Sequence, residues 1–255
     1  MLSSRSRNCH FLIVSGALFL MGSMLVPVSA HADRPTVGES ATDLFDGIEQ
    51  GKISVEFIPL GADRANLLVK NMTGKPLHVR LPAAFAGVPV LPQLGGGGGG
   101  AGGFGGAGGG GGGGQSVGGG GGGGLGGGGG GGGGGIFRVA PQRLMKVSVP
   151  TVCLEHGKPD PKPKMKYKIV PLDQVTSDPK VHLLCNALGS ARVSQSVAQA
   201  AAWNLMDGLT WDELASKSRV ESKYTGKTPF FNSSEIAEAA AVVQKLSEKP
   251  DIYVY

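Results

Sequence analysis

The sequence predicts an α+β fold: a small antiparallel β-sandwich with a long disordered Gly-rich loop, followed by a small helical bundle. Three observations support this prediction. Short stretches typical of strands fall within 33–94 and 136–156, which together form the expected β module. A run made almost entirely of glycine separates them at 95–135. From residue 177 to 255, apolar residues instead recur with the spacing of helices.

The strand prediction rests mainly on alternation. Ile53, Val55 and Phe57 alternate with polar residues, which is the pattern of a half-buried strand. Six short strands joined by turn-forming residues fit a small antiparallel sandwich. Since three strands alone would be marginally stable, we expect the strands on both sides of the glycine run to share one core. The six stretches cover 53–57, 65–70, 77–81, 88–91, 136–139 and 144–154.

The glycine run at 95–135 is called the glycine-rich tract here. Such a segment buries too little apolar area to offset its backbone entropy, so we expect a disordered insertion. It lacks the G-x-x-x-x-G-K-[ST] pattern of a phosphate-binding loop. Loop-closure entropy grows only slowly with length, which favours a loop within the sandwich over a linker between two domains.

A connector rich in proline and lysine is predicted at 157–176. Its lysines could form a patch for an anionic ligand, but a stiff, solvated connector is the favoured interpretation. Helices are expected from about 177 to a stop at Gly189, over 192–207 and 210–217, and from 232 onwards. Thr210 and Glu213 have the spacing of a capping box, in which each side chain bonds the other residue's backbone. The helix at 192–207 is apolar on nearly all sides and is expected to be buried.

The first 32 residues have the three parts of a cleavable secretory signal peptide. Arg5 and Arg7 form a positive start, and an apolar run covers 11–26. Cleavage is expected after Ala32, the last residue of an A-x-A site. Glycine and serine dilute the apolar run, so no transmembrane helix is expected after cleavage. The protein is therefore predicted to be secreted or held in the periplasm or cell envelope.

Composition narrows the possible functions. Removal of the two signal-peptide arginines lowers the formal net charge from +5 to +3. A charge this small and this evenly spread does not favour binding to nucleic acid or to membranes. The sequence also contains neither H-E-x-x-H nor G-x-S-x-G. It favours a non-enzymatic protein with a partner in the envelope or outside the cell, and it leaves enzymatic activity undecided.

Two cysteines remain after cleavage, and they allow more than one kind of site. In an oxidising compartment, Cys153 and Cys185 are expected first to form a disulfide. His156 lies three residues after Cys153, and His182 lies three residues before Cys185. These four residues are the usual ligand types of a closed, structural zinc site, which is the less favoured alternative. No other cofactor is expected.

The residues from Gln199 to Trp203 read Q-A-A-A-W, which resembles the Q-x-A-x-W segment of thioester domains in bacterial surface adhesins. Those domains also follow a β-rich portion that ends near a cysteine. The resemblance implies that the Gln199 side chain bonds to the sulfur of Cys153 and forms an acyl group that captures amines. The chain differs at Ala198, where the family usually has threonine, and at Ala202, where it has isoleucine.

The order of the elements supports a second resemblance. A β module, a last strand bearing a cysteine and a Q-x-A-x-W helix also resemble exported bacterial proteins of unknown function, in which a reactive bond need not exist. In that interpretation Gln199 and Trp203 belong to a core helix with an aromatic residue at its interface. We expect an exported envelope or extracellular protein with a structural or binding role. The alternative is a thioester-type capture protein that uses Cys153 and Gln199.

Overall fold

The computed structural model describes residues 41–90, 114–121, 135–222 and 226–248, and a closed barrel of six antiparallel strands lies at its centre. All of these residues belong to one compact unit, Glu39–Tyr255. The expected signal peptide and most of the glycine-rich tract lie outside the described residues. The described strands are β1 (Thr42–Asp43), β2 (Ile53–Pro59), β3 (Arg64–Asn71), β4 (Leu77–Arg80), β5 (Phe85–Pro89), β6 (Val117–Gly119), β7 (Ile136–Val139), β8 (Leu144–Cys153), β9 (Tyr167–Pro171), β10 (Ser218–Ser222) and β11 (Gly226–Pro229).

The barrel strands follow one another in the order β2, β3, β8, β6, β5 and β9, and β9 pairs with β2 to close the ring. Apolar side chains alternate along these strands and fill the interior. The buried ring of Phe57 has its centroid 6.4 Å from that of Phe85 and 6.0 Å from that of Tyr167. Two smaller sheets stand beside the barrel: β1, β4 and β7 form one, and the hairpin of β10 and β11 forms the other.

The helices pack on the barrel. They are α1 (Leu44–Glu49), α2 (Pro179–Gly189), α3 (Gln195–Asp207), α4 (Trp211–Ser216) and α5 (Ser233–Glu248). The helix α3 contacts α2, α5 and β8, and it is buried as its sequence predicted. Its buried residues join those of the barrel in a single apolar cluster. The capping box of Thr210 and Glu213 at the start of α4 is confirmed.

The predicted β-sandwich followed by a separate helical bundle is wrong. The strands form a closed barrel, and the helices share its core. Two strands close the ring that the sequence left open. One is β9, which lies in the predicted connector and pairs with both β2 and β5. The other is β6, which lies inside the predicted disordered tract and joins β5 to β8.

The strand β6 is nearly without side chains, which lets its neighbours approach closely. A Cβ atom on Gly119 would lie 2.7 Å from Cζ of Phe85 in the barrel interior. On the other face, a Cβ on Gly118 would lie 2.8 Å from Sγ of Cys185. A Cβ on Gly120 would lie 2.1 Å from the backbone oxygen of Cys185. Glycine is therefore required here because Phe85 on one side and α2 on the other leave no space for a methyl group.

Gly120→Ala is expected to lower the free energy of unfolding by about 1–3 kcal/mol, because the new methyl group would meet the backbone of α2. Gly74→Ala is the matched control, since a Cβ at that position would meet nothing within 4 Å. The control is expected to stay within about 1 kcal/mol of the wild type. Urea unfolding measures both, and equal stabilities would contradict the position of this glycine under α2.

Candidate functional site

The candidate site lies at the end of β8, which extends beyond the last paired residue of its neighbour β3. The last paired residues of these strands are Pro150 and Arg64, and one further backbone bond runs from Thr151 N–H to Asp63 O at 2.9 Å. Successive residues of a strand direct their backbone groups to alternate sides. Cys153 therefore directs its N–H and C=O to the side where no strand remains to accept or donate.

Two glutamines of α3 take the place of that missing strand. The Gln199 carboxamide accepts a hydrogen bond from Cys153 N–H at 2.8 Å and donates one to Cys153 O at 2.9 Å. Gln195 donates to Thr151 O at 3.1 Å. Residues four apart lie on one face of a helix, so the pair continues the ladder along β8. Gln199 is only 3% exposed, and both polar ends of its carboxamide are hydrogen-bonded.

Small side chains explain why α3 comes close enough for this contact. Ala198, Ala200, Ala201 and Ala202 are all fully buried. Alanine favours helix formation and projects only a methyl group, so the helix axis can lie near the sheet. The helix ends at Gly208, whose φ of 69° is the left-handed conformation that glycine adopts readily.

The thiol of Cys153 faces the barrel interior. Side chains alternate along a strand, so Cys153 shares its face with Val149 and Thr151, and it is fully buried. Burial raises the pKa of this thiol well above its usual range, and the nearby charges of Asp160 and Asp63 raise it further. The thiol is therefore protonated at neutral pH and is a poor nucleophile.

Cys185 lies on the other side of β6, on α2. It is fully buried, and burial raises its pKa to about 12. In the structure both cysteines are free thiols. The disulfide between Cys153 and Cys185 stays a prediction.

The structure does not bring the four residues of the alternative zinc site together as a set of ligands. The ring of His156 bonds to Lys217, and that of His182 lies 3.0 Å from Thr176 O. Among the described residues, no group of three or more histidine, cysteine, aspartate and glutamate side chains is arranged to hold a metal ion. Zinc binding also stays a prediction.

A cluster of aromatic rings and cations covers the loop that follows β8. Trp203 contacts the rings of His156, Phe230 and Phe231, with centroid distances of 5.0, 5.2 and 5.8 Å. Lys217 Nζ lies 5.3 Å from the Trp203 ring centroid and 2.7 Å from Nε2 of His156. In this short contact a neutral imidazole accepts a hydrogen bond from the charged lysine. Burial and the Lys217 charge accordingly lower the pKa of His156.

The same cluster ties α3 to the chain beyond β8. The backbone N–H of His156 donates to the Asp207 carboxylate at 3.0 Å. Trp203 is 5% exposed, and within the described residues its indole N–H has no hydrogen-bond partner. The residues from Gln199 to Trp203 thus contact both Cys153 and the loop after it.

Sequence reasoning missed three residues of this arrangement. Gln195 was detectable, because it lies four residues before Gln199 and so on the same helix face. Asp207 and Lys217 carry no local signal, since only the fold brings them to His156.

Comparisons with protein-family models, with curated proteins and with solved structures find no match for this chain. No helix in the described ranges combines the length and the apolar character that crossing a membrane requires.

Gln199→Leu is expected to lower the free energy of unfolding by about 2–4 kcal/mol, because it leaves a buried N–H and a buried C=O of Cys153 without partners. Gln195→Leu removes a single, partly buried bond and is expected to have a smaller effect. Gln244→Leu, at an exposed position of α5, is the control. Chemical denaturation ranks the three variants, and a Gln199 variant as stable as the control would contradict the role of this contact.

The stability of the fold is expected to fall as the pH drops below about 6.5, the ordinary pKa of histidine. The lowered pKa of His156 means that the unfolded chain takes up its proton first. This contribution is complete above pH 6.5 and is lost as the pH falls towards the pKa of the folded state. His156→Gln keeps a neutral acceptor for Lys217 and is expected to reduce the fall in melting temperature between pH 7.5 and 5.5. His182→Gln, outside the cluster, should retain the fall, and identical pH profiles for the wild type and His156→Gln would count against this assignment.

Proposed function

We propose that this chain is an exported protein of the cell envelope or the extracellular space, and that it acts by binding or as a structural component rather than by catalysis. The observation that supports the proposal is the pairing of Gln199 with the backbone of Cys153. Gln199 and Cys153, the two residues of the thioester alternative, join helix α3 to the barrel through these hydrogen bonds.

The state of the thiol supports the same proposal. A cysteine acts as a nucleophile when it is deprotonated and accessible. Cys153 is fully buried with a raised pKa, which opposes both conditions. The nearest candidate base in the sequence, His156, is engaged with Lys217. Export itself is proposed from residues 1–32, with cleavage after Ala32.

A second candidate function is covalent capture through a thioester. It is favoured by one specific contact, because Gln199 holds its carboxamide against Cys153 itself. In this reaction the Cys153 sulfur bonds to the Gln199 carboxamide carbon, and ammonia leaves with the thiol proton. A target amine would then attack the same carbon, form an amide and release the sulfur as a thiol.

Native Cys153 is expected to react with iodoacetamide at least about 100-fold more slowly than an exposed thiol, since reaction requires local opening of the fold. Ser148→Cys supplies the exposed thiol for comparison, because Ser148 is an exposed residue of the same strand. Alkylation is followed by peptide mass spectrometry under native and denaturing conditions. Equal rates for Cys153 and the introduced cysteine would overturn the first proposal.

The intact mass of the exported protein, measured denatured and without reductant, separates the two candidates. The unshifted mass supports the non-enzymatic proposal, as does a mass lower by two hydrogens, which reports a disulfide. A mass lower by one ammonia supports the thioester, provided that Cys153→Ala abolishes the shift and that treatment with methylamine adds the mass of one methylamine to the shifted species. The same spectrum locates the cleavage site, and an uncleaved N-terminus would contradict export through a cleavable signal.

A further inference from the structure

The segment 157–168, called the lysine loop here, presents a dense positive charge on one part of the surface. It contains five lysines and one acid, Asp160. All five lysines are exposed. Within the part of the chain that the structure describes, only Lys158 among them forms an ion pair, with Glu155. The five are Lys158, Lys162, Lys164, Lys166 and Lys168.

The backbone of the lysine loop is fixed to the barrel at several points. The backbone N–H of Gln115 donates to Pro159 O at 3.1 Å, and its side chain donates to Asp160 at 2.8 Å. Further along the loop, Lys166 O accepts from Val90 N–H at 2.8 Å. Met165 N–H closes a turn on Lys162 O at 2.9 Å. The lysines are therefore presented from an anchored backbone rather than from a free tail, which reduces the entropy lost on binding.

The positive charge is least compensated at the centre of the loop. Glu155 pairs with Lys158 at one end. At the other end, Phe57 faces Tyr167 in the β2–β9 register, which places Glu56 opposite Lys168. The acid within the loop, Asp160, precedes the lysines at 162, 164 and 166, and its carboxylate accepts a hydrogen bond from Gln115. These three lysines therefore lie between Asp160 and the position of Glu56. Neighbouring like charges repel one another, and a bound polyanion would relieve the repulsion and release its own counterions.

The chemistry of the loop indicates which polyanion fits. Its cations are all lysines, which act as hydrated point charges on flexible stems and so impose no fixed bidentate geometry on the repeated anions of a polymer. Its one aromatic residue, Tyr167, is buried and donates to Gln115 O at 2.7 Å, so it offers no surface on which a base could stack. The loop has no exposed large apolar side chain to enter a membrane.

We infer that the lysine loop is a binding surface for an acidic polysaccharide, whose repeated carboxylate or sulfate groups lie along lysines 162, 164 and 166. This inference rests on the proposed function, because an exported protein is the one that meets such polymers. It specifies the partner of a protein proposed to act by binding, and it makes no use of Cys153 or Gln199.

The test compares two triple variants of the full exported protein. Lys162→Gln, Lys164→Gln and Lys166→Gln neutralise the loop. Lys52→Gln, Lys70→Gln and Lys146→Gln remove the same charge from exposed positions elsewhere and serve as the matched control. Binding to heparin and to polygalacturonate is measured by titration at several salt concentrations, with neutral dextran as the negative control. Melting temperatures establish that both variants fold.

The loop variant is expected to lose affinity for the acidic polymers by about tenfold or more and to show a shallower dependence on salt. The control variant is expected to bind as the wild type does. Equal losses in the two variants, or no binding by the wild type at low salt, would overturn the inference. Tighter binding to phosphatidylserine vesicles or to single-stranded nucleic acid would also overturn it. These failures leave the thiol measurements untouched, whereas a reactive Cys153 would refute the non-enzymatic proposal without affecting polymer binding.

Discussion

The carboxamide of Gln199 stands beside Cys153 where a neighbouring strand would otherwise lie, and the orientation of α3 depends on this contact. A carboxamide has the same pair of groups as a peptide unit, one N–H donor and one C=O acceptor, so it can satisfy a strand residue completely. Carboxylates lack the donor, and hydroxyl groups cannot span both atoms at once. With Gln199 bonded to Cys153 N–H and O, the helix can neither slide along β8 nor rotate without breaking two buried hydrogen bonds.

Further contacts depend on the position of that helix. One turn beyond Gln199, Trp203 reaches the ring of His156, and Asp207 holds the backbone of the same residue. The helix α3 therefore fixes both the end of β8, through Gln199, and the loop that follows β8, through Trp203 and Asp207. Lys217 and Phe230, which flank the hairpin formed by β10 and β11, both contact the ring of Trp203. One pairing at the end of a strand therefore positions a helix, a loop and a hairpin.

Local patterns predicted much of the secondary structure. The alternation at 53–57 falls within β2, and the capping box of Thr210 marks the start of α4. Closure of the barrel was not predictable in this way. The strand β6 reads Val-Gly-Gly, which has no side-chain alternation to detect, and β9 follows a run of prolines and lysines typical of a connector. The site was predictable only in part. The resemblance named Gln199 and Cys153 as a pair through a bond to sulfur, which stays a prediction, whereas the hydrogen bonds of the Gln199 carboxamide to the Cys153 backbone depend on where β3 ends.

The composition of β6 determines which of its residues can specify how it pairs. Ser116 O accepts from Leu154 N–H, Ser116 N–H donates to Glu155, and Val117 faces Cys153. Gly118, Gly119 and Gly120 have no side chain that would distinguish one register from the next. The register of β6 is therefore specified by the residues that precede its glycines, and a substitution at Ser116 or Val117 acts on the closure of the whole barrel.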